Sequence, residues 1–159
     1  MKKLILVPLK RNDRAEDLLP YVDEVARPGM KAVFMMPYPV DGFRWSHEEI
    51  GRKAIEEGKR LANYYTWDTN LRKARELIAP ALKALSAKDI EVAVDLYAGS
   101  MRRAVRDYAV KGGVHLIVTR ARVGNWIERL LDAAPSACRS LIRPSFSPVM
   151  LINPRTLRI

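Results

Sequence analysis

Short apolar runs recur along the chain at residues 4–9, 31–36, 90–97, 114–119 and 148–152. Most are continuous rather than alternating, the pattern of strands covered on both faces. Between them lie longer segments with apolar residues three or four apart, which read as helices. The first opens at Asn12 or Asp13, either of which caps it, and carries Leu18, Leu19, Val22 and Val25 on one stripe. Pro20 lies inside it, and Arg27-Pro28-Gly29 stops it. The tetrapeptide SHEE starts a second helix over 46–64 as a capping box: the Ser46 hydroxyl faces the Glu49 amide and the Glu49 carboxylate reaches back. A further helical stretch runs from Asp68 or Thr69 to Ser86 with Leu71, Ile78, Leu82 and Leu85 as its apolar positions, and Pro80 kinks or breaks it. Another is bounded by Ser100, a good cap, and Gly112-Gly113, and a last one occupies 132–142. Strands alternating with helices predict an α/β fold built on a parallel sheet.

A length of 159 residues suits one domain, 1–159, with a helical excursion at about 38–68. The opening MKKLILVPLK places two lysines before an apolar run. That run is short, contains Pro8 and is followed by no small-residue cleavage site, so it reads as a first strand. No apolar stretch approaches the roughly 18 residues that cross a bilayer, and no membrane partner is expected. A single cysteine, Cys138, excludes an internal disulfide and fits a reducing cytoplasm. The formal charge is +10, and residues 102–159 hold most of it, with 11 Lys+Arg against 3 Asp+Glu. Such asymmetry marks either a solvated surface or contact with an anionic partner. Without zinc-finger spacing, an RNA-binding aromatic motif or a leucine zipper, nucleic acid is the less favoured partner.

Three stretches carry a resemblance. ILVPLK is similar to the first strand of the universal stress protein family, which reads as an apolar run, a proline and an aspartate. DLYAGSMRRAVRDYAVKGGVHLIV resembles that family's third strand, turn, helix and fourth strand. ERLLDAAPSACRSLIRPSFSPVMLI resembles its final helix and strand, with Ser147-Pro148-Val149 in place of a Cys-Pro-Val-like turn. The resemblance covers essentially the whole chain and rests on the order and spacing of these stretches together. It implies a three-layer α/β sandwich with a five-stranded parallel sheet of order 3-2-1-4-5 and two helices on each face. It also implies a homodimer that pairs last strands across a two-fold axis, here Val149, Met150, Leu151 and Ile152. An apolar edge strand with unpaired backbone agrees with that role.

That strand order has a topological switch between the first and fourth strands, where open α/β sheets bind ligands. In the ATP-binding branch of the family the loop after the fourth strand reads G-x2-G-x9-G-[ST], which brings backbone amides to the phosphates. Aligned on Glu128-Arg129-Leu130-Leu131, the motif positions fall on Thr119, Arg122, Asp132 and Ala133, and none matches. Lys10 likewise replaces the first-strand aspartate. Asp132 suits the cap of the last helix, yet its carboxylate repels a phosphate there. The expectation is a protein without a cofactor, ATP and AMP being disfavoured. The same positions gain positive charge: Lys10 and Arg11 follow the first strand, Arg120 and Arg122 the fourth. Arginine forks hold phosphate or carboxylate without glycines, so these four residues are a candidate pocket for a small anion. The alternative is that the arginines pair with Asp13, Asp95, Asp132 or solvent.

Neither His47 nor His115 has a partner at metal-ligand spacing, and Cys138 reads as a small buried residue. Ser100 lacks a nucleophile elbow and is explained by helix capping. The aromatics Trp45, Tyr64, Tyr65 and Trp67 cluster about the excursion and read first as packing, and Trp126 is placed to fill the nucleotide cleft. With no triad, metal cluster or paired carboxylates, the sequence reads as a non-catalytic binding or interaction module.

Overall fold

A computed structural model describes residues 2–11, 13–40, 66–120 and 147–152. The expected strands form within a residue or two of their anticipated ends. They are β1 (Leu4–Pro8), β2 (Lys31–Pro37), β3 (Glu91–Tyr97), β4 (Val114–Arg120) and β5 (Val149–Ile152). All pair in parallel, in the order β3-β2-β1-β4-β5. Four helices accompany them among the described residues: α1 (Ala15–Val25), α2 (Trp67–Leu77), α3 (Ala79–Ser86) and α4 (Met101–Lys111).

The continuous apolar runs follow from burial on both faces. Ile5, Val7, Leu9, Phe34, Met36 and Val118 pack on one face with Leu18 and Val22 of α1, Ala74 of α2, and Ala81 and Leu85 of α3. Leu6, Val33, Met35, Tyr97 and Ile117 point the other way, toward Val105 of α4. Successive strand residues must alternate between faces, so only a sheet covered on both sides wants every position apolar.

Pro20 stays inside α1 rather than ending it. An interior proline costs about 3 kcal/mol. Burying a large aliphatic side chain yields about 1.5–3 kcal/mol, and both Leu18 and Val22 are fully buried on this helix. Packing therefore outweighs the lost hydrogen bond. The cap differs from expectation: Arg14 is the N-cap and makes no side-chain bond. Asp13 instead turns back, its Oδ2 accepting from the Lys10 amide at 2.9 Å; Asn12 lies outside the described residues.

The helical stretch after the excursion begins at Trp67, earlier than Asp68 or Thr69, because Thr66 caps it by accepting from the Thr69 amide at 3.2 Å. Pro80 produces a break, falling in the first turn of α3 where its missing N–H would have had no helical partner. Leu82 proves exposed, and the buried stripe runs through Ala74, Ile78, Ala81 and Leu85. The spacing of 4, 3 and 4 keeps one face toward the sheet, and small alanines let α2 and α3 lie close to it. Helix α4 is capped as expected, Ser100 Oγ accepting from the Arg103 amide at 3.4 Å, and Gly112 follows it at φ 83.

One buried side chain holds the two ends of the excursion. Asn70, 2% exposed, accepts from the Val40 amide at 2.9 Å through Oδ1 and donates to the Thr66 carbonyl at 3.0 Å through Nδ2. Beside it the rings of Tyr38 and Trp67 lie 5.2 Å apart and tilted at 32°. The helix expected over 46–64 and its Ser46 cap, and the helix over 132–142, lie outside the described residues.

Candidate functional site

Strand order places β1 beside β4, with Leu6 opposite Ile117, so the carboxyl ends of both strands open at the switch point. Lys10 and Arg11 leave β1 there, and Thr119 and Arg120 end β4. Thr119 is buried and paired in register with Leu151 of β5. Arg120 lies opposite Ile152 and is half-buried. Its Nη1 stands 3.7 Å from Asp13 Oδ1 and 3.9 Å from Asp17 Oδ2. The Asp13 side chain is only 8% exposed. Since Asp13 also accepts from the Lys10 amide, one carboxylate joins the start of the β1–α1 turn to the end of β4.

Of the four residues proposed for an anion pocket, the fold thus brings Lys10 and Arg120 to the same carboxylate. Arg11 is exposed, and Arg122 lies outside the described residues, as do Asp132, Ala133 and Trp126. The arginine–aspartate alternative holds for Arg120, with Asp13 and with Asp17, a partner that sequence reasoning missed. The signal was present: Asp17 lies only four residues on from Asp13, in the first turn of α1. Asp95, also considered as an arginine partner, pairs with no arginine among the described residues. Its Oδ2 accepts from the Tyr108 hydroxyl and its Oδ1 from the Leu96 amide. Burial first, then the hydrogen bond and charge of Asp95, push the Tyr108 phenol well above its usual range, so it remains a donor.

On the neighbouring strands the mouth of the sheet is tied down. The Tyr97 hydroxyl at the end of β3 donates to the Leu9 carbonyl at 2.7 Å in a buried bond that spans β2. A cavity of about 290 Å³ lies to the side of this tie, between the end of β3 and α4, lined by Tyr97, Ser100, Arg103, Asp107, Tyr108 and Lys111 among others. Its wall mixes both charge signs, as does the switch point with Arg120 and its carboxylates. Strand topology favours the switch point as the candidate site.

Among the described residues no group of histidine, cysteine and carboxylate side chains has the arrangement of a metal site, and His115 is exposed at the start of β4. No helix among them is long and apolar enough to cross a membrane.

These features define a doubly wound parallel α/β protein with its switch point between β1 and β4. The fold is that of the universal stress proteins. Universal stress protein UspA from Lactobacillus plantarum matches with a TM-score of 0.58 at 16% identity, over 95% of this chain and 97% of that one. A universal stress protein from Archaeoglobus fulgidus matches with a TM-score of 0.58 at 22% identity, over 96% and 95%. A structure of the universal stress protein from that organism in complex with dAMP gives 0.56 at 20%, over 96% and 98%. No family model matches the sequence. No curated protein matches it either.

Proposed function

We propose that this chain is a universal-stress-type protein of the cytoplasm that acts by binding or interaction, without catalysis, and does not take ATP in the family's manner. The observation that carries this reading is the Arg120 guanidinium facing Asp13 and Asp17. Two carboxylates at the switch point oppose a triphosphate, and Arg120 is already engaged with them. The sequence adds that none of Thr119, Arg122, Asp132 and Ala133 supplies the glycines or hydroxyl of the phosphate loop. Titrating the purified protein with ATP by calorimetry tests this: no heat at millimolar ATP is expected, and saturable binding there overturns it.

A second reading is a sensor for a mononucleotide or other small anion held by Lys10, Arg11, Arg120 and Arg122. It is supported by the adjacency of β1 and β4 and by the dAMP complex of a protein sharing the fold. It predicts heat with AMP or inorganic phosphate that Arg120→Gln abolishes. In both readings the protein is a homodimer through Val149, Met150, Leu151 and Ile152. Leu151 is 41% exposed, and among the described residues β5 pairs only with β4, which leaves its outer edge for a second copy.

A further inference from the structure

Helix α4 turns Met101, Ala104, Val105 and Tyr108 toward the sheet and presents Arg102, Arg103 and Arg106 on its exposed side. At 3.6 residues per turn these three arginines fall within an arc of about 100°, around Val110, which is 80% exposed. None of them forms an ion pair among the described residues. Some other surface cations do, Lys2 and Lys31 with Glu91, Lys88 with Asp23 and Arg120 with Asp13 and Asp17, but only on α4 do three arginines without an ion pair among the described residues share one arc. Asp107 is the only acid on the helix, whose first turn has none.

This arrangement works against the helix itself. Arg102 and Arg103 occupy the first turn, where a cation opposes the macrodipole at about 0.3–1 kcal/mol each. Arg102 and Arg106, four apart, repel by about 0.2–0.5 kcal/mol. A placement that weakens its own element and gains no internal partner is expected where a surface serves an external one.

We infer that the Arg102, Arg103 and Arg106 face of α4 docks on the phosphate backbone of double-stranded DNA, without sequence preference. The chemistry separates this partner from others. A protein partner needs an apolar or aromatic centre to its interface, and here Tyr108 and Met101 are turned to the sheet, leaving Val110 alone. Single strands favour aromatic stacking platforms, and Tyr97, the other aromatic near this face among the described residues, is buried. A backbone-directed contact needs only forked cations on a convex element, and the major groove of B-form DNA, unlike that of A-form RNA, admits a helix. The formal charge of +10 adds attraction at a distance. This docking does not depend on what the switch point binds.

The test is fluorescence anisotropy of a labelled random-sequence DNA duplex across a salt series, with the intact chain and with Arg102→Gln/Arg103→Gln/Arg106→Gln. Binding that falls with salt is expected, and loss of three phosphate contacts lowers the slope of log K against log salt by about 2.7. The triple variant keeps or raises the melting temperature, because the repulsion is removed, so weakened binding is not a folding defect. A slope unchanged by the triple substitution, or no binding at low salt, overturns the proposal. So does binding of poly-glutamate, an RNA duplex or a single strand as tightly as the DNA duplex at the same salt.

Discussion

Asp13 faces Arg120 across the switch point of the sheet while its other carboxylate oxygen accepts from the Lys10 amide. The residue thus has two tasks, closing the turn after β1 and neutralising the end of β4. Asp13→Ala leaves a partly buried amide without its acceptor, which costs about 1–3 kcal/mol. Urea unfolding monitored by tryptophan fluorescence measures it, and an unchanged midpoint removes the structural role.

Releasing the cation is a separate experiment. Asp13→Asn/Asp17→Asn keeps the shape and removes both charges facing Arg120. A partly exposed ion pair is worth up to about 1 kcal/mol, so affinity for inorganic phosphate rises by about fivefold. Calorimetry of the double variant that shows no gain over the parent chain excludes Arg120 as an anion ligand held in check.

Asn70 is buried with both ends of its amide engaged. Asn70→Leu strands the Val40 amide and loses about 1–3 kcal/mol. Hydrogen exchange at Val40 rises in the variant; protection equal to the parent's contradicts the assignment.

At the opposite end of the sheet, Glu91 bridges Lys2 and Lys31 at 2.9 Å each. The hydrogen bonds from Lys2 and Lys31 and their charges lower its carboxyl to about 2 from 4.5. A depressed carboxylate contributes stability above its unfolded value and loses it as pH falls through the folded one. Melting temperature therefore declines between about pH 4.5 and 2, less steeply in Glu91→Gln and less steeply in high salt. Parallel acid limbs in parent and variant refute the contribution of Glu91.

The proposed dimer is tested at Leu151. A lysine there places a charge on the outward part of β5, and edge lysines oppose strand pairing. Leu151→Lys sediments as a monomer where the parent sediments as a dimer; a dimeric variant, or a monomeric parent, rejects the β5 interface.

The strands were legible because two-sided burial writes itself as unbroken apolar runs, and Ser100 and Gly112 marked α4 as plainly. Other elements were obscured for physical reasons. Ala74 and Ala81 carry little hydrophobic signal, so Leu82, one position round the helix, took the place of Ala81 in the expected stripe. Thr66 was passed over as a cap because Asp68 and Thr69 compete with it in the sequence. At the site, topology and residue types placed Lys10 and Arg120 together, but the direction of a long side chain depends on its neighbours in space. Asp95 illustrates this best, since a tyrosine from α4 reaches it before any arginine does.

The clasp at Asn70 has a consequence for how this chain can change. It joins Val40, just after β2, to Thr66, just before α2, and so fixes these two points of the chain relative to each other. Entropy of loop closure grows only slowly with length, so residues can be added or removed between these two points while the strands stay in register. The sheet and its switch point are in this way insulated from changes in chain length between Val40 and Thr66.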